Sequence, residues 1–441
     1  MNKIKNEVIS GWGGFPLINS KVFYPENLDE ISKKITTSDA SYIARGNGRA
    51  YGEAAINKEL TISMLKFNKI IEFNHNTGEL IAESGVLIAD VIKNFTKKGW
   101  FPFSCAGTKF ITLGGAIAAD IHGKNHHHEG SFGNYINWLD LMDKDGEILR
   151  CSKEQNNEIF NWTIGGMGLT GIITKCSINL RKIESGWINK KSIVNSNLKQ
   201  TLDSFDKNIF AKYSVAWLDC LSSGNKLGRS ILTLGEHCKN DEVIGKTSFP
   251  NIRKNIFNLF FYFPSFILNN ATVKLFNNLY FLINSKKSRN QIVDLDSYFF
   301  PLDSIHNWNK LYGREGFFQL QFIIPDKYSF NAISKILNIV QSESSGSFLA
   351  VLKKFGSGNG YLSFPAKGYT LALDFKATNQ NIKAAKKLIS VVIDYDGKFY
   401  LAKDSILQSS EFLQSQQSNL EKFKKIRSFK IASELSKRLN I

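Results

Sequence analysis

Two separated glycine-rich stretches constrain this chain more than any other feature. The first, Ala44 to Gly52, reads ARGNGRAYG, and the second, Pro102 to His128, reads PFSCAGTKFITLGGAIAADIHGKNHHH. Glycine has no Cβ, so loops of this kind bring backbone N–H groups close to a bound group, and two of them supply the donors that an extended diphosphate needs. A third cluster, IGGMGLTG from Ile164 to Gly171, leads into a β-branched run from Ile172 to Leu180. Any one of these glycines is ordinary turn chemistry. As a set they read as the cradle of a flavin dinucleotide.

The 441 residues are enough for two or three domains, and 43% hydrophobic with 22% charged residues is the balance of a globular protein. Five scattered cysteines, Cys105, Cys151, Cys176, Cys220 and Cys238, form no C-x-x-C pair and argue against a disulfide framework or a thiolate metal site. The N-terminal MNKIKNEVISGWGGF lacks the apolar run of a signal peptide, and no segment offers a membrane-spanning length of apolar residues. A cytoplasmic location is therefore expected. The net charge of +17 is spread along the chain without a nucleic-acid module signature, so an anionic membrane surface or a phosphate-bearing substrate is the expected partner and nucleic acid is not.

Periodicity and turn residues place strands at Lys21–Pro25, Ser41–Arg45, Ile70–Phe73 and Leu80–Glu83, and helices at Leu28–Thr37 and Ile88–Lys98, the latter ended by Gly99. Asp145-Gly146 is expected to close a hairpin between Trp138–Asp143 and Glu147–Arg150. Strands at Gly316–Pro325 and Leu371–Phe375 and a helix at Asn331–Gln341 follow a boundary near Lys182 to Gly186. Gln319 and Gln321 share a parity and so point to one face of their strand. The fold class expected is α+β.

ARGNGRAYG, TLGGAIAADIHGKNHHHEGSFG, GGMGLTGII and AKDS (Ala402 to Ser405), in that order, resemble the flavin subunits of decaprenylphosphoryl-ribose 2-epimerases, a family of vanillyl-alcohol-oxidase-like flavoproteins. The resemblance also covers WNKLYG, FFQLQFIIP and LKKFG. It implies a two-domain fold of the FAD-binding PCMH type, with an FAD domain at 1–182, a mixed-sheet substrate domain at 183–397 and a segment, 398–441, that returns to the FAD domain. FAD would be held by Ala44, Arg45, Gly46, Asn47, Gly48, Arg49, Ala50, Tyr51, Gly52, Gly107, Thr108, Thr112, Leu113, Gly114, Gly115, Ala119, Asp120, Ile121, His122, Ile173 and Tyr400. Lys403, His122 and Tyr51 are the implied catalytic side chains, and Lys124, Tyr312, Gln319, Gln321, Lys353 and Ala372 the implied substrate contacts.

Two departures follow from the same resemblance. Some relatives bond flavin through a histidine after the glycine of the first loop, whereas Arg49 and Ala50 follow Gly48 here, so noncovalent FAD is expected. Mycobacterial members carry a cysteine where this chain has Ala372. No metal is expected: His126, His127 and His128 are adjacent and cannot converge on one ion, so they read as loop residues.

From Asn251 to Gln291 the chain has no acidic residue, but carries Arg253, Lys254, Lys274, Lys286, Lys287 and Arg289 among IFNLFFYFPSFIL and LFNNLYFLI. Such a segment suits a bilayer interface, peripheral to the inner membrane face with the periplasmic side also open; a buried helical hairpin with solvated lysines reads the same way. The basic tail from Glu421 reads as a solvated helix.

The implied reaction is oxidation of the C2 hydroxyl of a polyprenyl-phosphate-linked ribose to a 2-keto sugar. A short-chain NAD(P)-dependent reductase would complete the epimerisation to arabinose for cell-envelope glycan synthesis. A soluble alditol or aldonolactone oxidase of the same fold is the enzymatic alternative, and a basic membrane-surface or nucleic-acid binding protein the non-enzymatic one.

Overall fold

A computed structural model describes residues 3–251, 257–264, 266–286, 290–343, 347, 349–416 and 419–441. Three principal sheets follow one another along the chain, with helices packed on them, in an α+β arrangement. The first sheet runs Ile4–Ile9, Ile18–Phe23, Thr61–Ser63, Ile43–Arg45, and its last strand feeds the first glycine-rich loop. The edge strand Ile4–Ile9 is not expected from sequence, because IKNEVI is half polar without strict alternation and its side chains stay largely outside the core.

The second sheet is built around Ile172–Lys182, which pairs antiparallel with Glu79–Glu83, Ile136–Met142 and Trp100–Pro102. Its Asp145-Gly146 hairpin forms between Ile136–Met142 and Ile148–Ser152, with left-handed backbone at Gly146 (φ +81°) and not at Asp145. The helix Ile88–Phe95 passes into a short 3₁₀ turn and stops at Gly99, also left-handed at φ +81°.

The third sheet has eight strands, edge to edge Asn290–Asp294, Trp187–Asn195, Ser230–His237, Tyr213–Leu218, Ala350–Phe355, Gly368–Lys376, Phe317–Ile324 and Lys398–Phe399. Phe317–Ile324 is buried along its whole length, the pattern of a strand covered on both faces. The helices Ser329–Glu343 and Asn379–Asp394 pack on one another and supply Ile333, Ile336, Leu388 and Val392 to the large core.

The C-terminal tail forms the helices Leu420–Ile426 and Glu434–Leu439, but its basic residues are not simply solvated. Ile431 bridges Tyr42, just before the Ile43–Arg45 strand, and the buried Arg427 donates to the Ile431 carbonyl at 2.8 Å. Arg438 donates to Glu53, directly after the first glycine loop, and to Asp404. Charge counting along a sequence does not see such partners.

Candidate active site

A cavity of about 560 Å³ is lined on one side by the glycine-rich loops and on the other by one face of the eight-stranded sheet. Strand parity explains the second wall. Gln321 pairs with Ala372 and Gln319 with Asp374, Val351 pairs with Ala372 and with Trp217, and Val215 pairs with Thr233. Residues in register share a face, so Gln319, Gln321, Val351, Lys353, Ala372, Asp374, Val215, Trp217 and Thr233 all reach the cavity together.

The loop wall has the chemistry of a dinucleotide cradle. Gly46 lies so close to the second loop that a Cβ there would sit 2.2 Å from Thr112 Oγ1, and Gly48 holds φ +61°. Asn47 Nδ2 donates to the Phe110 carbonyl at 2.8 Å and ties the two loops together. Among the described residues, the backbone N–H groups of Gly46, Asn47, Gly48, Arg49, Ala50, Gly107 and Thr108 have no acceptor within the chain. A row of backbone donors at a cavity wall, without acceptors in the chain, is the arrangement that a diphosphate satisfies. At Gly107 nothing lies within 4 Å of a Cβ position, leaving open space at the wall.

Five basic side chains and one carboxylate line the cavity: Arg49, Lys124, Lys190, Lys353, Lys403 and Asp374. Burial pulls Lys353 down to about 8, and burial together with the nearby Lys353 and Lys190 charges pulls Lys124 down to about 7. Lys124 Nζ donates to the Tyr298 carbonyl and lies 4.4 Å from the centroid of the Tyr298 ring. Lys403 Nζ lies 3.5 Å from the centroid of the Tyr51 ring; burial pulls it down and the Asp374 charge opposes this. Such a wall favours an anion that can leave its water behind.

His122 is buried against Phe355 and Tyr400, with ring centroids 4.7 and 5.1 Å away. Burial, with help from the Lys353, His126 and Lys403 charges, holds it well below the ordinary histidine range, so it is neutral. Gln321 Nε2 donates to His122 Nε2 at 3.0 Å and to Thr370 Oγ1 at 3.2 Å, which leaves the ring proton on Nδ1. That Nδ1 is buried and has no partner among the described residues.

Most of the expected site residues line this cavity: Ala44, Gly46 to Tyr51, Gly107, Thr108, Thr112, Gly114, Gly115, Ala119, Ile121, His122, Lys124, Ile173, Gln319, Gln321, Lys353, Ala372, Tyr400 and Lys403. Five lie behind its wall. Arg45 turns away to donate to the Ser10 carbonyl at 2.7 Å, and Gly52 abuts the Asp404 carbonyl, which a Cβ would approach to 2.2 Å. Leu113 is a core residue, and Asp120 is a loop hub, accepting from Ser131 at 2.7 Å, from the Gly133 N–H at 2.8 Å and from Ser363. Tyr312 stacks on Phe317, with its hydroxyl 3.4 Å from Asp374.

Sequence reasoning missed Asp374, Lys190, Trp217 and Tyr280 in the wall. Asp374 was within reach, since it shares the parity of Ala372 in YTLALDF; the others depend on strand order. Of the adjacent histidines, His126 stacks on Phe355 and accepts from the Gly356 N–H at 3.2 Å, and His127 Nε2 lies 2.8 Å from the Ala211 carbonyl. Among the described residues no group of three or more His, Cys, Asp or Glu is placed to hold a metal ion.

Glycine loops with free backbone donors face a basic sheet wall across one cavity. Residues 20–152 match the FAD binding domain family. The chain is 32% identical over 419 residues to decaprenylphosphoryl-β-D-ribose oxidase of Mycolicibacterium smegmatis, covering 92% of this chain and 90% of that protein. Over 178 residues it is 30% identical to cytokinin dehydrogenase 5 of Arabidopsis thaliana, 36% of this chain and 31% of the relative. It is 25% identical over 207 residues to a putative D-arabinono-1,4-lactone oxidase of Neurospora crassa, 46% of this chain and 35% of that one. The chain belongs to the decaprenylphosphoryl-β-D-ribose oxidase family, and FAD is its cofactor.

Proposed function

We propose that this protein oxidises the C2 hydroxyl of a polyprenyl-phosphate-linked ribose to the 2-keto sugar. A separate short-chain NAD(P)-dependent reductase then gives the arabinose epimer used in envelope glycans. The observation that carries this reading is the single cavity in which the cofactor loops face Gln319, Gln321, Lys124, Lys353 and Lys403. Bound FAD supplies the two-electron acceptor for a carbinol.

The chain's own residues do the rest. Backbone donors of Gly46 to Ala50 with Gly107 and Thr108 hold the cofactor diphosphate; with Arg49 and Ala50 after Gly48, no loop histidine bonds to the flavin. Lys124 and Lys353 take the substrate phosphate, and the Gln319 and Gln321 amides orient the sugar hydroxyls. Lys403 accepts the hydroxyl proton at Nζ, which burial keeps available as a neutral amine, while the Tyr51 ring and the neutral His122 fix its surroundings. Residues 1–182 with 398–441 form the FAD domain and 183–397 the substrate domain.

The aromatic segment supports a membrane-surface location. Phe257, Phe260, Phe261, Tyr262 and Phe266 are exposed, as are Leu275, Leu279, Leu282 and Ile283 of the helix Asn270–Lys286, which is not the buried hairpin that the sequence also allowed. Tyr280 of that helix lines the cavity, so the exposed apolar face adjoins the substrate site. Arg253, Lys254, Lys287 and Arg289 lie outside the described residues, and Lys286 is described in its backbone alone. No helix of the described residues is long and apolar enough to cross a membrane. We place the protein peripherally on the inner face of the membrane.

Anaerobic mixing tests the assignment. A polyprenylphosphoryl-ribose should bleach the bound flavin and free alditols or aldonolactones should not; bleaching by the free polyols alone would assign a soluble alditol or aldonolactone oxidase instead.

A further inference from the structure

Asp374 is the one carboxylate on the cavity wall, 1% exposed, and no arginine or lysine hydrogen-bonds to it among the described residues. Gln319 Nε2 donates to its Oδ1, the Tyr312 hydroxyl lies 3.4 Å from Oδ2, and its backbone N–H donates to Ser347 Oγ at 2.9 Å. The Tyr51 ring packs edge-on against Phe317, 5.3 Å between centroids, and Phe317 in turn stacks on Tyr312. Lys403 Nζ sits over the Tyr51 ring and makes no hydrogen bond among the described residues. Four segments of the chain thus meet in one cluster: Tyr51 from the first loop, Tyr312 and Gln319, Asp374, and Lys403. A carboxylate held by neutral donors alone is costly to bury unless a cation shares its field.

We propose that Asp374 is a positioning residue that sets the proton occupancy of Lys403, with Gln319 holding the carboxylate and the Tyr51 ring seating the amine. The inference rests on the proposed carbinol oxidation. That reaction breaks the carbinol C–H and O–H bonds and forms C=O; two electrons leave with the hydride to FAD, and the proton goes to the lone pair of Lys403 Nζ. Lys403 must therefore be neutral before turnover and charged after it, and a carboxylate beside it decides the pH at which this happens. Burial pushes the Asp374 carboxyl up and Lys403 down, and each opposes the shift of the other. The other charged or titratable groups facing the cluster are Lys353 and His122 toward Lys403, Arg49 and Asp303 toward Tyr51, and Cys220 toward Tyr312.

The test uses flavin-loaded enzyme and Asp374→Asn. Removing the negative charge lowers the Lys403 pKa, so the acid limb of anaerobic flavin reduction by a polyprenylphosphoryl-ribose should move down by about one pH unit, a roughly tenfold gain in relative rate below the limb. The ¹⁵N-lysine signal of Lys403, titrated without substrate and assigned with Lys403→Arg, should move with it. Asp374→Glu should return the limb toward its original position. Unmoved limb and titration in Asp374→Asn overturn the proposal. If Asp374→Asn does not hold flavin, the unmutated enzyme decides: Lys403 should titrate in two steps, and a single step overturns the proposal. The titration needs no substrate, so a failure of the ribose assignment is read separately, from absent bleaching.

Discussion

Arg438, three residues from the end of the chain, places Nε 2.6 Å from Oε1 of Glu53, the residue that follows the first glycine-rich loop. Its other guanidinium nitrogen lies 2.9 Å from Asp404 Oδ2, next to Lys403. One planar fork therefore clamps the cofactor loop to the segment that carries the proposed base.

Replacing Arg438 with Met leaves Glu53 and Asp404 buried without their cation, a loss of about 3–5 kcal/mol. Denaturant unfolding should register that loss, and the FAD dissociation constant should rise with it. An unchanged flavin affinity alongside lowered stability would confine the clamp to folding.

Gly46→Ala should weaken flavin retention. The added Cβ would lie 2.2 Å from Thr112 Oγ1, which is already committed to capping the Gly115 N–H, so relief breaks a cap worth about 1 kcal/mol and parts the two loops. The ratio of flavin to protein absorbance reads the outcome, with at least a tenfold weaker FAD affinity expected, on the order of 1.4 kcal/mol.

The lysine wall predicts a pH dependence of substrate binding. Burial holds Lys124 near 7 and Lys353 near 8 in the free enzyme, so each is charged below that pH and loses its proton as pH rises through it. KM for a phosphate-linked sugar should climb between pH 7 and 9, and Lys353→Met should raise KM about tenfold at pH 7 while flattening the rise, as loss of one charge-assisted contact implies. A KM for the phosphate-linked sugar that is flat from pH 7 to 9 would remove the phosphate from this wall.

The cofactor half of the site was legible because its chemistry is local. ARGNGRAYG and the CAGT turn bring their donors to the cavity by turn geometry within a few residues, and the Gln319 and Gln321 parity follows from the strand period alone. The substrate wall was only partly legible: Lys190, Trp217 and Tyr280 reach the cavity through the order of strands and the seat of one helix, which single-segment patterns do not encode. Arg45 and Asp120 sit inside the cofactor motifs yet act on the protein itself, since a motif fixes where the backbone runs but not which way each side chain turns.

The exposed aromatic face predicts membrane binding through insertion as well as charge. Phe260→Ser with Phe261→Ser, at positions 80% and 63% exposed, should weaken flotation with anionic liposomes several-fold and leave the unfolding transition in place. High salt should weaken binding of both proteins; binding insensitive to the double substitution would move the contact elsewhere.

The position of oxidation is the most direct test of the function. The lipid-linked ribose is turned over by the purified enzyme, the product is reduced with borodeuteride, and the deuterium is located. Deuterium at C2 in a mixture of ribose and arabinose configurations is the predicted result; deuterium at any other carbon, or none, contradicts it.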